Sequence, residues 1–130
     1  DRANETDELN TAATCQSQHI ANMQNFAVYA QKRFQVICHQ QQWPCYLRLG
    51  IATGAVTAGM PNRQHGTFDV WGKTVNLAAM LEQACEGNAV LLCPSSYSLL
   101  PLHLKPCFEH TQVVSKIGVL NAYRRFIPQA

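Results

Sequence analysis

One stretch of the sequence joins a strand-like pattern to a helix-like pattern and places polar residues between them. It reads Thr67-Phe-Asp-Val-Trp-Gly-Lys-Thr-Val-Asn-Leu-Ala-Ala-Met-Leu-Glu-Gln83. The Asp69 carboxylate can accept hydrogen bonds from an exocyclic amine, and the Asn76 amide can both donate and accept them. The same residue types also organise turns and helix starts. The residues alone therefore leave two interpretations, a polar strand-to-helix junction and part of a nucleotide-binding site.

The helix that should follow Asp69 has one polar flank and one apolar flank. Each helical residue advances by about 100°, so Asn76 and Met80 share a stripe and Gln83 lies close to it. The adjacent arc should face the core, and its residues are Leu77, Leu81, Ala84 and Cys85. Asn76 is thus predicted on the exposed flank near the start of the helix, seven residues after Asp69.

The first third of the chain predicts one long helix. Residues 1–15 are polar and aperiodic, so we expect a lead-in loop there. Residues 16–42 carry apolar side chains at three- and four-residue steps, which is the spacing of one helical face. This pattern predicts an amphipathic helix with Gln24, Gln31 and Gln35 directed outward.

Alternating and apolar segments predict the strands of a sheet. Residues 46–51 alternate, and residues 55–58 are expected to pair with them in a hairpin. The later elements are, in order, a loop at 61–66, a strand at 67–70, a helix at 74–84 followed by a stop at Gly87-Asn88, a buried strand at 89–93, a short helix from 94, and one or two strands within 113–127. This order predicts an α+β fold with the helices on one face of a mixed or antiparallel sheet.

The composition excludes several classes of protein. A chain of 130 residues suffices for one domain with a modest core, and its 47% apolar and 14% charged residues are typical of a globular domain. The net charge of +2 is too small to indicate a nucleic acid or an anionic membrane as partner. There is no run of roughly 18 apolar residues that would predict a transmembrane segment. The cysteines form no C-x-x-C pair, so reduced thiols in the cytosol are expected.

Segments in matching order and spacing resemble the signature of the class III nucleotidyl cyclases, which make cyclic AMP or cyclic GMP. They are Leu47-Arg-Leu-Gly-Ile-Ala-Thr-Gly54, Val56-Thr-Ala-Gly59 and Asp69-Val-Trp-Gly-Lys-Thr-Val-Asn-Leu-Ala-Ala-Met-Leu81. Residues 89–93 and 116–123 resemble the later strands of the family. The resemblance implies that residues 16–130 form a partial cyclase domain, a ferredoxin-like palm that lacks its first strands.

The resemblance implies roles for three residues of this chain. Asp69 lies where the family reads the purine, and an Asp there suits the adenine amino group, so ATP is the expected substrate. Asn76 matches the Asn that orients the ribose and the transition state. Arg48 matches a strand Arg that reaches the polyphosphate in some subunits, and the alternative for Arg48 is a solvated strand residue.

Two positions depart from the family pattern. The transition-state Arg of the family falls at Met80, whose thioether cannot donate a hydrogen bond or neutralise charge on a phosphate. Losing one such contact typically lowers a rate by about 10² to 10³. The phosphate-binding Lys of the family aligns with Ile117. Lys116, one residue away, is expected to replace it only if the loop shifts.

The resemblance also implies groups that this chain does not carry. The family uses two Mg²⁺ or Mn²⁺ ions, held by Asp residues on a strand and a hairpin that precede the first helix. We therefore assign no metal ligand in this chain. The family builds its active site between two domains, so the expected partners are ATP and a second cyclase domain, in a homo- or heterodimer.

These observations leave two main hypotheses for function. The first is part of an adenylyl cyclase-type domain, which converts ATP into cyclic AMP and pyrophosphate in cytosolic cyclic-nucleotide signalling and is inactive as this chain alone. The second is a degenerate cyclase-homology domain that binds nucleotide, regulates or dimerises without catalysis. A ferredoxin-like module unrelated to nucleotides is a third alternative. Without the first strand, we also expect an unpaired sheet edge at residues 47–51 and poor stability of the isolated chain.

Overall fold

The computed structural model describes residues 2–44, 46–62 and 67–127, and the side chains of residues 15–44, 46–60 and 69–127. Cys45 and most of the loop predicted at 61–66 lie outside the described residues. The elements are, in order, α1 (Arg2–Gln41), β1 (Arg48–Ile51), β2 (Thr57–Asn62), β3 (Thr67–Trp71), α2 (Lys73–Ala84), β4 (Ala89–Leu92), α3 (Pro94–Leu99), a 3₁₀ turn (Lys105–Cys107), β5 (Glu109–Ser115) and β6 (Gly118–Phe126).

The main sheet has four strands in the order β1-β4-β6-β5. β1 runs parallel to β4, whereas β6 is antiparallel to both of its neighbours. The α+β class and the mixed sheet predicted from the sequence are therefore confirmed. Among the described strands β1 pairs with β4 alone, so its other edge is open, as expected for residues 47–51.

The hairpin predicted between residues 46–51 and 55–58 is wrong. β2 begins at Thr57 and pairs instead with β3, in a separate two-stranded sheet that matches Thr57 with Trp71 and Gly59 with Asp69. β1 pairs with the distant β4 because β4 is apolar at every position. Such a strand gains most when it lies inside the sheet and is covered on both faces.

Helices cover both faces of the sheet, which corrects the single helical layer predicted from the sequence. All four residues of β4 are buried. Val90 and Leu92 pack in one cluster, and Ala89 and Leu91 pack in another on the opposite face. The first cluster includes Ile20 and Ala27 of α1 with Tyr97 and Leu99 of α3, and the second includes Leu81 of α2.

The loop predicted at residues 1–15 is helical in the structure, because α1 begins at Arg2. Residues 2–14 contain several good helix formers, including Ala, Glu and Leu. Once a helix is nucleated in the amphipathic segment, each added residue gains a hydrogen bond at low cost. The helix runs through residue 16, and the domain boundary drawn there stays a prediction. No helix in the described segments is long and apolar enough to cross a membrane.

Two of the three glutamines predicted to point outward from α1 are buried. Gln24 and Gln31 are only 1% and 0% exposed. Gln31 Nε2 donates to the backbone oxygens of Ala89 (2.7 Å) and Leu47 (3.3 Å), and Gln24 Oε1 accepts from Arg125 Nη1 (2.8 Å). The prediction failed because polarity alone does not show that an amide can reach the carbonyl groups at the ends of two strands.

Candidate functional site

The strand-to-helix junction of the opening stretch forms as the sequence predicts, with a glycine at the turn. Gly72 has φ of 128°, a backbone conformation that residues with a Cβ rarely adopt. α2 starts directly after Gly72, and the backbone N–H of Asn76 donates to the backbone oxygen of Gly72 at 3.1 Å. Asn76 therefore lies in the first turn of α2, and its side chain is exposed as expected.

Asp69 lies on β3, opposite Gly59 of β2. Its Oδ1 accepts a hydrogen bond from the Val70 amide at 2.8 Å, and the residue is exposed. The carboxylate is thus accessible to an amino group from outside the chain. This is compatible with the purine-reading role implied for Asp69, which stays a prediction.

Met80 and Lys116 line one cleft, between α2 and the turn that joins β5 to β6. The cleft has a volume of about 330 Å³, and its lining residues are Met80, Gln83, Ala84, Val114, Ser115 and Lys116. Ile117, which aligns with the phosphate-binding Lys of the family, is 73% exposed and is not part of the lining. Lys116 thus lines the same cleft as Met80, and its phosphate-binding role stays a prediction.

The turn that carries Lys116 is organised by its own side chains. Ser115 Oγ donates to the Gly118 oxygen at 2.8 Å and accepts from the Ile117 amide at 3.3 Å. These bonds hold residues 115–118 in a tight reversal, with Lys116 near its first corner. Lys116 gives the cleft a single positive charge among apolar and uncharged polar groups, so the cleft suits one anionic group of a ligand.

Asn76 lies about 6 Å from Met80 along the helix axis, since four residues separate them. Asn76 and Asp69 are not among the residues that line the cleft. Asn76 lies on α2, nearer to its N-terminus than the cleft, and Asp69 lies on β3, the strand that precedes α2. The candidate site residues therefore lie on three consecutive places, the exposed Asp69 on β3, the exposed Asn76 in the first turn of α2, and the cleft with Lys116 near the end of α2.

Arg48 lies apart from this surface. Its Nη2 is 2.9 Å from Glu82 Oε1, in an ion pair whose side chains are 48% and 39% exposed. Glu82 follows Asn76 by six residues, or about 9 Å along α2. An exposed ion pair of this kind contributes little stability and exchanges easily. The polyphosphate role of Arg48 stays a prediction, and the partner Glu82 was not anticipated.

The described residues do not fit the two metal ions that the resemblance implies. In the described part of the chain, no group of three or more His, Cys, Asp or Glu side chains could hold a metal ion. Cys85 caps the C-terminus of α2, and its thiol is buried in the core. Burial raises its pKa, and its Sγ donates weakly to the backbone oxygens of Glu86 and Ala89. Cys15, Cys85, Cys93 and Cys107 are free thiols, as expected.

Sequence reasoning missed one further contact at the junction. The Thr74 hydroxyl donates to the Ala55 oxygen at 2.7 Å, which ties the first turn of α2 to the segment that enters β2. The available signal was a hydroxyl residue in the first helical turn together with a nearby glycine, Gly54. Neither residue predicts the hydrogen bond until the two segments are known to be neighbours in the fold.

Comparisons with known proteins identify relatives of this chain. A family model described as the adenylate and guanylate cyclase catalytic domain matches residues 8–120. Adenylate cyclase type 9 of Xenopus laevis is 29% identical over 85 residues, which are 65% of this chain and 6% of that protein. An adenylate cyclase of Mycobacterium tuberculosis is 46% identical over 39 residues, which are 30% of this chain and 9% of that protein.

A solved structure has the same fold. The crystal structure of the adenylyl cyclase CyaB from P. aeruginosa superposes with a TM-score of 0.61 and 25% identity, over 75% of this chain and 54% of that chain. The matched part of this chain thus spans about half of the solved relative, and 6% and 9% of the two curated relatives.

Proposed function

The chain belongs to the family of adenylate and guanylate cyclase catalytic domains, and we propose that it supplies one half of a site that converts ATP into cyclic AMP and pyrophosphate. A second cyclase domain supplies the other half. The observation that carries the proposal is the cleft shared by Met80 and Lys116. It joins the stripe of α2 that begins at Asn76 to the β5–β6 turn, whose Lys116 offers a cation to a phosphate.

Each residue of this half acts on a different part of the substrate. The exposed Asp69 carboxylate accepts a hydrogen bond from the adenine amino group. Asn76, at the start of α2, holds the ribose so that its 3′ oxygen is oriented towards the α-phosphate. Lys116 offsets negative charge on the phosphates from the far end of the cleft. Asp69 therefore selects the base, whereas Asn76 and Lys116 govern the rate.

The Mg²⁺ or Mn²⁺ ions of the family belong to the other half of the site in this proposal. When bound, such ions activate the ribose hydroxyl and hold the triphosphate. The described residues offer no cluster that fits them. This chain is therefore expected to bind nucleotide through Asp69, Asn76 and Lys116, and to need carboxylates from outside it for turnover.

The β2–β3 hairpin supports a second cyclase domain as partner. Two-stranded sheets are marginally stable alone, and this one exposes three large apolar side chains, Met60, Val70 and Trp71, with a fourth, Val56, directly before β2. Burying them against another domain would bring Asp69, on the same hairpin, into an interface. That arrangement fits an active site completed by two domains, and a homo- or heterodimer acting in cyclic-nucleotide signalling.

Met80 favours a second candidate function, a cyclase-homology domain that binds nucleotide or a partner without catalysis. Met80 stands where the family has its transition-state Arg, and the described cleft holds no other cation than Lys116. One missing electrostatic contact lowers a rate by about 10² to 10³ but does not prevent binding. The two candidates therefore differ in turnover and share nucleotide binding.

Restoring the missing cation distinguishes the two candidates. The full-length protein, called the parent protein below, is assayed for cyclic AMP from ATP and Mn²⁺, with and without a second cyclase domain. We expect Met80→Arg to raise the rate at least about tenfold, because it places a guanidinium beside Lys116. Leu102→Arg is the matched control, since it adds the same charge at a residue that is 83% exposed and remote from the cleft.

Each outcome of this assay favours one of the two candidate functions. A faster Met80→Arg enzyme with an unchanged Leu102→Arg enzyme supports a weakened cyclase. Absence of cyclic AMP from both wild type and Met80→Arg, with every partner tried, rejects catalysis. ATP binding that persists in that case, and is lost in Asp69→Ala, supports the non-catalytic candidate.

A further inference from the structure

The first turn of α2 is tied to a segment nineteen residues earlier by one side-chain hydrogen bond. Thr74 Oγ1 donates to the Ala55 oxygen at 2.7 Å. Ala55 lies between the end of β1 and the start of β2. Local backbone structure does not require this bond, because Ala55 and Thr74 lie in different elements.

This bond closes a ring of contacts at the junction of β3 and α2. From Ala55 the chain enters β2 at Thr57, and Thr57 is paired with Trp71 at the end of β3. From Trp71 the chain passes through Gly72 to Thr74, whose hydroxyl returns to Ala55. The β2–β3 ladder and the Thr74 bond therefore fix the angle between the hairpin and α2.

The two residues proposed to hold adenine and ribose lie on the two arms of this angle. Asp69 is on β3, and Asn76 is on α2, two residues after Thr74. A change in the angle changes the distance between their side chains. At the junction itself Gly72 makes no side-chain cap hydrogen bond for α2, and its backbone is permissive.

The packing around the hydroxyl is tight. A Cβ placed on Gly54 would lie 2.5 Å from Thr74 Oγ1, well inside van der Waals contact. The loop before β2 is thus shaped to receive this side chain at Gly54. The close approach to Gly54 and the hydrogen bond to Ala55 both place Thr74 Oγ1 against this loop.

We propose that Thr74 is a positioning residue, whose hydroxyl sets the placement of Asn76 relative to Asp69 and so the alignment of ribose with adenine. The inference rests on the proposed function for its catalytic consequence. Its geometric part concerns the junction alone. Thr74 itself is not assigned a contact with the substrate.

Three variants of the complete parent protein test the proposal. Thr74→Val removes the hydroxyl at nearly the same volume, and Thr74→Ser keeps it. Ser98→Ala is the matched control, because it removes a hydroxyl-to-carbonyl bond of 2.9 Å to Ser95 on α3, away from the hairpin. The measurements are hydrogen exchange at the Asn76 amide and the β2–β3 amides, thermal melting, and kcat and KM for ATP.

For Thr74→Val we expect these amides to exchange about tenfold faster, since one hydrogen bond no longer holds the junction closed. We expect kcat to fall about 10- to 100-fold, more than KM rises, because misalignment by about an ångström affects the reacting geometry most. Thr74→Ser should restore both readouts, and Ser98→Ala should leave them unchanged.

Several results overturn the proposal. Unchanged exchange in Thr74→Val rejects the geometric part. Unchanged kcat in an active enzyme rejects the catalytic part and leaves the proposed function intact. A Thr74→Ser variant that behaves like Thr74→Val rejects the hydroxyl as the group that sets the placement by itself, because Ser keeps the hydroxyl. If the wild-type parent makes no cyclic AMP, the catalytic part fails together with the proposed function, while exchange still decides the geometric part.

Discussion

The sheet around β4 and the β2–β3 hairpin differ in almost every physical respect. β4 is buried along its whole length, paired on both edges and covered by helices on both faces. The hairpin forms a separate two-stranded sheet, and the described side chains of its large residues are exposed. Asp69 lies on the hairpin, and α2 connects the two regions.

This difference separates the source of stability from the proposed source of recognition. Apolar burial around β4 stabilises the domain in proportion to the area removed from water. The hairpin gains little of that stabilisation, so it should open locally at a lower free energy than the core. A hairpin with few buried apolar contacts of its own is an element that a partner or substrate can order, as the proposed role of Asp69 requires. Three substitutions test this contrast.

The largest effect is expected in the core. Leu91→Ala should lower the free energy of unfolding by about 2–5 kcal/mol, because Leu91 is 1% exposed and the cavity cannot collapse between packed layers. Urea unfolding of the parent protein measures it, with Leu102→Ala at an exposed position as the control. A loss for Leu91→Ala no greater than that for Leu102→Ala would mean that β4 is not the centre of the core.

A smaller effect is expected where α1 is anchored to the sheet. Gln31→Leu should lower the free energy of unfolding by about 1–3 kcal/mol, because it removes the amide donor from the Ala89 and Leu47 oxygens. Gln40→Leu, at an exposed position of the same helix, is the control in the same urea titration. Equal stability of the two variants would contradict a structural role for the Gln31 hydrogen bonds.

The smallest change in stability is expected on the hairpin. Trp71→Ala should change the free energy of unfolding by less than about 1 kcal/mol, because the ring is exposed, yet weaken association with the second cyclase domain at least about tenfold. Sedimentation or titration calorimetry measures the association. Trp43→Ala removes the other exposed tryptophan, outside the hairpin, and should leave association unchanged. A large loss of stability in Trp71→Ala would show that the hairpin is part of the core.

The elements predicted best from the sequence are those set by local pattern. The helix predicted at 74–84 is Lys73–Ala84, and the buried strand predicted at 89–93 is Ala89–Leu92. Between them, Asn88 has a positive φ of 65°, the kind of conformation that the predicted stop at Gly87-Asn88 requires. The class III cyclase resemblance is confirmed by the family match over residues 8–120.

The errors concern contacts between segments distant in sequence. The pairing of β1 with β4, the burial of Gln24 and Gln31, and the helices on both faces each depend on which surfaces meet. The same holds at the candidate site. The exposure of Asn76 follows from helical periodicity, whereas the entry of Lys116 into the cleft depends on how the β5–β6 turn approaches α2. The poor stability expected of the isolated chain stays a prediction.

By itself, the sequence determined the family, the order of most elements, and the placement of Asn76 and Met80 on one stripe of α2, because these follow from local spacing along the backbone. Only the tertiary structure decided that Lys116 and not Ile117 lines the cleft, that Glu82 pairs with Arg48, and that Thr74 closes the junction. The physical reason is that such contacts form between segments whose relative position is a compromise among all the packed surfaces of the domain, and no single segment encodes it.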